Sequence, residues 1–182
     1  TYTGTGSAGS IAHGLSAAPA WIVLKKRTND TQAWQVYHHK NTDAPETEKL
    51  SINTTAGTVD DHTTWNDQAP TSNVFYVGNA SGTNESTDTF VAYCWTEIPG
   101  FSKFGSFTGS GNANGPMIYT DFKPAWVMWK RTNSTNQWNI HDAERNRMNP
   151  VNHTLYANVT GVGETAIITD FLSNGFKLRS ST

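Results

Sequence analysis

The sequence has little cysteine, little charge and no long hydrophobic run. Its single cysteine, Cys94, excludes a disulfide framework within the chain and a thiolate zinc cluster. This cysteine lies in the apolar run Phe90–Trp95, which predicts a buried and unreactive thiol. Charged residues make up 15% of the chain and the formal net charge is −2. This composition argues against binding of nucleic acid through a broad basic surface.

The longest apolar stretches fall well short of the ~20 residues that a membrane-spanning helix requires, so we expect no membrane insertion. No signal peptide is recognisable, and the chain begins without Met, so we expect a fragment or a processed product. Seven tryptophans and abundant Thr, Ser, Asn and Gly indicate an ordered, extracellular type of domain. A length of 182 residues suits one sizeable core. We therefore predict a single β-sandwich domain over residues 1–182.

An internal duplication organises the chain. The paired segments are Tyr2-Thr-Gly-Thr-Gly6 with Phe107-Thr-Gly-Ser-Gly111, Pro19–Leu24 with Pro124–Trp129, Lys26-Arg-Thr-Asn29 with Lys130-Arg-Thr-Asn133, Trp34–Tyr37 with Trp138–His141, and more weakly Leu50–Asn53 with Leu155–Asn158. The offset falls from 105 to 104 residues across Lys25-Lys26, so a β-bulge is expected there. The pattern predicts two diverged copies, residues 1–104 and 105–182, with the second copy truncated.

The local pattern is that of short strands separated by Gly, Asn and Pro, which is typical of a sandwich. One short helix is predicted at Asp142–Met148. The predicted strands are Trp21–Leu24, a strand starting at Trp34, Ser51–Thr54, Asn73–Gly78, Phe90–Ile98, Gly115–Thr120, Trp126–Trp129, a strand starting at Trp138, Thr165–Thr169 and Gly175–Leu178.

Motifs of known catalytic chemistry are missing. Gly4–Gly9 matches the dinucleotide fingerprint by letter, but Ser10–Pro19 shows no helical stripe to follow it, so a glycine-rich strand connection is predicted. The chain has no Glu-x-Asp-x-Glu strand of a sandwich glycosidase and no Gly-x-Ser-x-Gly elbow. These observations favour a protein that is not an enzyme.

Two groups of residues are candidates for metal binding. Asp60 and Asp61 precede Trp65 in a polar loop and form the better candidate for a hard cation such as Ca²⁺, with a solvated acidic loop as the alternative. His38-His39, with His141 and Asp142 at the matching place, lack zinc-type spacing. We therefore expect no cofactor, with Ca²⁺ at Asp60 and Asp61 as the one open possibility.

The aromatic residues offer the strongest indication of a binding site. An indole beside amide and carboxyl groups suits a sugar, because the ring contacts its apolar face and the polar groups bind its hydroxyls. Trp21 and Trp126 are predicted core residues, and Trp95 is either core or surface. The alternative for Trp65 is that its ring pins the loop onto the sandwich. The predicted ligand-binding residues are Trp65, Asn66 and Asp67, followed by Trp34 and Trp138 after the polar hairpin tips.

Three stretches resemble a domain of bacteriophage structural and tail-fibre-like proteins, especially those of marine phages. They are Trp65–Phe75, Ala92–Gly111 and Asp170–Arg179. The resemblance implies a jelly-roll-like sandwich related to concanavalin A-like and laminin-G-like domains. It also implies a location at the virion surface, where host-surface glycan and other virion subunits, including further copies of this chain, would be the partners.

The resemblance leaves three functions open. The first is a non-enzymatic module that binds host-surface carbohydrate in attachment. The second is a purely structural module of a fibre or capsid, and the third is a carbohydrate-active enzyme or its binding module. Because the second copy ends without an equivalent of Thr89–Trp95, we also expect an open sheet edge along Gly175–Leu178.

Overall fold

A computed structural model of the chain describes residues 1–28, 31–160, 163, 165 and 167–181. Nearly all of its regular secondary structure is antiparallel β-strand, so the predicted all-β class is confirmed. Three one-turn helical segments are described: a 3-10 helix at Pro45–Thr47, α1 at His62–Trp65 and α2 at Ser81–Asn84. The described strands are β1 (Tyr2–Thr3), β2 (Gly9–Ala12), β3 (Trp21–Lys26), β4 (Gln35–His38), β5 (Glu48–Ser51), β6 (Val59–Asp60), β7 (Val74–Val77), β8 (Thr89–Trp95), β9 (Met117–Tyr119), β10 (Trp126–Lys130), β11 (Trp138–Asp142), β12 (Leu155–Tyr156), β13 (Thr169–Leu172) and β14 (Gly175–Leu178).

The chain divides into two compact units. Unit 1 comprises Thr1–Glu97 with Thr132–Thr135, and unit 2 comprises Ile98–Arg131 with Asn136–Thr182. The main division therefore falls a few residues before the predicted boundary between the sequence copies. None of the helices in the described part of the chain is long and apolar enough to cross a membrane.

Unit 1 contains a six-stranded sheet in the order β1-β8-β3-β4-β5-β6 and a separate pair, β2 with β7. Alternation along β3 directs Ile22 and Leu24 into the core, while Trp21 and Lys25 lie on the opposite face. The core joins side chains of both sheets with one residue of α1. Its buried members are Ile22, Leu24, Tyr37, Trp65, Phe75, Val77 and Phe90.

Unit 2 contains two three-stranded sheets, ordered β10-β11-β12 and β13-β14-β9. Its core combines Val127 of one sheet with Phe171, Phe176 and Leu178 of the other, and it also includes Val151, which lies outside the named strands. The strand β14 is the central strand of its sheet, since it pairs with β13 on one side and β9 on the other. The open edge predicted along Gly175–Leu178 is therefore wrong.

Several contacts recur at corresponding places in the two units. The backbone N–H of Trp34 donates to Asn53 Oδ1 at 2.9 Å, and that of Trp138 donates to Asn158 Oδ1 at the same distance. An edge-on aromatic pair with ring centroids 6.4 Å apart also occurs in both units. The pairs are Tyr2–Phe75 in unit 1 and Phe107–Phe176 in unit 2.

Some local predictions need correction. The register between β3 and β8 runs unbroken through Lys25 and Lys26, so the extra residue of the first copy lengthens β3 and forms no bulge there. The predicted helix at Asp142–Met148 is a turn that follows β11. The strand predicted at Ser51–Thr54 lies earlier, as β5. The strand predicted at Thr165–Thr169 falls partly outside the described residues, and the described strand begins at Thr169.

Candidate functional site

Trp65, the first predicted ligand-binding residue, belongs to the core. It ends α1, whose N-terminus is capped by Asp61 through a hydrogen bond from the Thr63 backbone N–H to Oδ1 at 2.9 Å. Trp65 is only 2% exposed, and its ring packs against the Tyr37 ring in a T-shaped arrangement with 5.9 Å between centroids. The prediction that this ring offers a face to a ligand is corrected; its position agrees with the alternative of a structural pin.

Asn66 and Asp67 reverse the chain after α1. Both have left-handed backbones, with φ of 58° and 49°, a conformation that Asn and Asp tolerate better than most residues. Asn66 is half-buried and lines a surface pocket, whereas Asp67 is exposed and does not line it. The predicted trio is therefore separated, because Trp65 points into the core while Asn66 borders the solvent.

The pocket beside Asn66 has a volume of about 390 Å³ and lies within unit 1. Buried Asn84 holds two of its walls, because its Nδ2 donates to Ser7 O at 2.6 Å and to Gly78 O at 2.8 Å. The walls of the pocket offer hydroxyl, amide and imidazole groups, and its lining residues include no Phe, Tyr or Trp. The lining residues are Gly6, Ser7, Ala8, His62, Thr63, Asn66, Gly78 and Asn79.

The carboxylates of the predicted calcium site have other roles. Asp61 Oδ1 caps α1, and Oδ2 accepts a hydrogen bond from Lys49 Nζ. Burial alone would raise the pKa of Asp61, but hydrogen bonds from Lys49 and Thr63 lower it to about 2. Asp60 is exposed in β6, and no group of three metal-ligating side chains occurs within the described residues. The geometry therefore does not favour Ca²⁺ at Asp60 and Asp61.

The two tryptophans that follow the hairpin tips differ in exposure. Trp138 is buried, so its ring cannot meet a ligand in this conformation and that prediction is corrected. Trp34 is half-buried, and Lys25 Nζ lies 5.7 Å from the centroid of its ring. Because the Lys25 ammonium group lies over the Trp34 ring, less of the ring face is available to a ligand than in an uncovered indole.

A different set of rings is exposed together on one face of the six-stranded sheet. We call Trp21, Trp95 and Tyr93 the aromatic ladder. Trp21 and Trp95 are paired across β3 and β8 and stack with centroids 4.6 Å apart, and Tyr93 stacks on Trp95 at 6.1 Å. Trp95 is 39% and Tyr93 45% exposed, while Trp21 is half-buried. The prediction that Trp21 and its counterpart Trp126 are core residues is therefore corrected, since Trp126 is 50% exposed.

The alternation of residues along β8 is a sequence signal for this ladder. Along β8, the residues that pack on the core are Phe90, Ala92 and Cys94. Strict alternation then places Tyr93 and Trp95 on the opposite face. The position of Trp21 beside them depends on the pairing of β3 with β8, two strands separated by more than 60 residues in the chain.

Polar groups border the ladder. His38 pairs with Trp21 across β4 and β3, and its ring lies 5.5 Å from that of His39. Burial, reinforced by His39, lowers the pKa of His38 to about 4, although its own backbone and Glu97 act in the opposite direction. Its Nδ1 accepts a hydrogen bond from the Lys40 backbone N–H at 3.1 Å, so the neutral ring carries its proton on Nε2. The His38 side chain, which borders the ladder, is therefore uncharged at neutral pH.

Cys94 lies on the core side of the strand that carries the ladder. Burial raises the pKa of its thiol to about 11, so the thiolate is a minor species at neutral pH. This agrees with the unreactive thiol expected from the sequence, although the side chain is half-buried rather than fully enclosed.

Together, these features define an all-β protein of antiparallel sheets with an exposed aromatic surface on one of them. The chain belongs to the family described as a domain of unknown function, DUF7483, whose model matches residues 1–182. No curated protein matches the chain. No solved structure matches it either.

Proposed function

We propose that this chain is a non-enzymatic module that binds host-surface carbohydrate, on the surface of a phage particle. The observation that carries the proposal is the aromatic ladder, because it is a row of stacked rings that the fold leaves exposed. Apolar faces of sugar rings pack well on indole and phenol rings, and neighbouring polar groups then bind the hydroxyls. In this proposal His38, His39 and Glu97, at the border of the ladder, supply the polar contacts.

The proposed architecture is a jelly-roll-like, concanavalin A-like sandwich built from two diverged copies. This architecture is supported by the core of each unit, which is shared by two antiparallel sheets. The recurring Asn–Trp backbone hydrogen bond and the recurring aromatic pair add to this support, because neither is needed by antiparallel pairing itself. The resemblance of the three sequence stretches to phage virion domains supports the location at the virion surface.

The first test removes the central ring of the ladder. Trp95→Ala should weaken binding to any glycan found on an array by about ten-fold or more, which corresponds to roughly 1.4 kcal/mol. The matched control is Trp126→Ala, because Trp126 is similarly exposed but belongs to unit 2 and is not part of the ladder. Equal binding by the wild type and both variants in titration calorimetry would show that the ladder is not the site.

The second test concerns catalysis. We expect that incubation with a broad panel of polysaccharides and aryl esters releases no product, since the chain has neither a paired-carboxylate strand nor a nucleophile elbow. Turnover that survives repurification and disappears when one acidic residue is mutated would contradict the non-enzymatic proposal.

A purely structural role is the second candidate, favoured by the same exposed rings. An apolar surface of this kind also suits contact with another subunit. Sedimentation of the wild type and Trp95→Ala distinguishes the two functions. An oligomer that dissociates on loss of Trp95, together with no glycan binding, would favour the structural module.

A further inference from the structure

The surface pocket beside α1 in unit 1 is held in shape by one buried amide. Asn84 is 2% exposed and bonds to two sides of the pocket. Its Oδ1 accepts from the Thr5 backbone N–H at 2.9 Å, and its Nδ2 donates to Ser7 O at 2.6 Å and to Gly78 O at 2.8 Å. Because a buried side chain joins the two walls, the pocket is part of the fold of unit 1.

The wall that follows β7 packs directly on α1. A Cβ atom at Gly78 would lie 2.2 Å from Thr63 O, so glycine is required for this close approach. The Gly78 N–H donates to Thr64 O at 3.1 Å, and the Ala80 N–H donates to a neighbouring carbonyl of α1 at the same distance. Asn79 is therefore held at the pocket between two residues whose backbones are bonded to α1.

Three side chains that line the pocket have hydrogen-bonding groups that no other described residue uses. They are the amides of Asn66 and Asn79 and the imidazole of His62. An amide offers two N–H donors and a carbonyl acceptor, and an imidazole offers two ring nitrogens. Donors and acceptors are therefore mixed around the pocket, which suits a ligand whose own groups both donate and accept.

The pocket is not lined by charged groups that would favour an ion. Its lining residues include no Lys, Arg, Asp or Glu. The nearby carboxylate of Asp61 already accepts hydrogen bonds from Lys49 and Thr63. An ion would lose water on entering without gaining a countercharge from the lining, which costs free energy. A neutral polar ligand is therefore favoured.

The volume of the pocket limits the size of this ligand. About 390 Å³ corresponds to roughly thirteen water molecules at ~30 Å³ each, or a molecule of about a dozen non-hydrogen atoms. A cube of this volume has sides of about 7 Å, whereas a strand of only four residues is about 13 Å long. The pocket therefore suits a small molecule and not a segment of polypeptide.

We propose that this pocket binds a single neutral sugar residue, whose hydroxyl groups bond to Asn66, Asn79 and His62. A sugar hydroxyl both donates and accepts, as do the groups that the pocket offers. The pocket differs from the aromatic ladder in position. α1 lies on the core side of the six-stranded sheet, since Trp65 packs against Tyr37, and the ladder lies on the opposite face. The proposal therefore does not depend on glycan binding by the ladder.

The test is a titration of the whole chain with four neutral monosaccharides, namely glucose, galactose, N-acetylglucosamine and rhamnose, followed by ¹H–¹⁵N NMR. We expect saturable shifts of the side-chain amide signals of Asn66 and Asn79 with at least one sugar. The dissociation constant should be about 1–10 mM, because a small ligand held by hydrogen bonds binds weakly. Unchanged signals of both amides with all four sugars at about 100 mM would overturn the proposal.

Two charged probes test the expected neutrality of the ligand. Calcium chloride and sodium phosphate should leave the amide signals of Asn66 and Asn79 unchanged, since the lining supplies no countercharge. Saturable binding of either ion at these amides would identify an ion site and overturn the proposal.

A pair of glycine variants provides the matched control. Asn66→Gly removes the amide and keeps the turn, because glycine readily adopts the left-handed backbone of this residue, with φ of 58°. It should weaken sugar binding by at least about five-fold, as loss of one net hydrogen bond would. Asp67→Gly alters the next left-handed residue, which does not line the pocket, and should leave binding nearly unchanged. Equal binding by both variants and the wild type would overturn the proposal.

Two further variants keep the result interpretable. If Asn66→Gly does not fold, Asn79→Ala removes the other amide and should weaken sugar binding to a similar extent. Trp95→Ala removes a ring of the ladder and should leave the shifts at the pocket in place, whatever its effect on glycan binding. If Trp95→Ala abolishes sugar binding and Asn66→Gly does not, the sugar binds at the ladder and the pocket proposal is overturned.

Discussion

Replacement of Trp65 by alanine is expected to lower the free energy of unfolding of unit 1 by about 3–5 kcal/mol. The ring is 2% exposed and contacts Tyr37 in a core that also contains Phe75 and Phe90, so its removal leaves a large cavity. For a unit of this size the melting temperature should fall by at least about 12 °C. Thermal unfolding followed by circular dichroism measures the change.

Two further variants separate packing from surface effects. Trp95→Ala removes an exposed ring of the ladder and should change the free energy of unfolding by about 1 kcal/mol or less. Trp65→Phe keeps most of the buried ring and removes an indole N–H that has no hydrogen-bond partner among the described residues, so its loss should be clearly smaller than that of Trp65→Ala. If Trp65→Ala melts like the wild type and loses glycan binding, Trp65 is a ligand residue after all.

Acidification is expected to destabilise the protein through His141, by up to about 3 kcal/mol. This side chain is fully buried, its Nε2 lies 2.7 Å from Thr154 Oγ1, and its ring meets the Trp129 ring edge-on at 5.0 Å. Burial, reinforced by the positive charge of Arg145 and opposed by Asp142, lowers its pKa from 6.5 to about 4.

The sign of this pH effect follows from the lowered pKa. The unfolded chain binds a proton more readily than the folded one, so the contribution is fully present above pH 6.5 and is lost as the pH falls toward 4. Below that pH both states carry the proton and the contribution no longer changes. Denaturant unfolding between pH 4 and pH 8 measures the slope.

His141→Gln should be less stable at pH 8 but should lose less stability on acidification, because glutamine does not titrate. His38→Gln is the matched control, since the pKa of His38 is also lowered to about 4 but this residue lies in unit 1. The His38→Gln variant should keep the part of the pH dependence of stability that comes from His141. An unchanged slope in His141→Gln would contradict the assignment.

The agreement between predicted and described strands varies along the chain. The prediction for Gly175–Leu178 matches β14, and Trp126–Trp129 differs from β10 by one residue. The largest differences occur in polar segments. α1 was not predicted, because a one-turn helix capped by Asp61 has too few residues to show helical periodicity.

The prediction that Trp65 faces a ligand was wrong for the same reason. The polar neighbours of Trp65 suggested a loop open to solvent, but the turn of α1 rotates its ring into the core. Asp61, predicted as a cation ligand, is the residue that caps this turn. Asn66 does line a surface pocket, because the reversal of the chain after the helix leaves this residue at the surface.

Composition and alternation along the chain determined the β class, most strand positions and the division of β8 into two alternating faces, because these depend on neighbours in sequence. The aromatic ladder depends on which strands pair and in what register. Trp21 meets Trp95 only through the β3–β8 pairing. Such contacts join residues far apart in the chain, so only the tertiary structure could decide them.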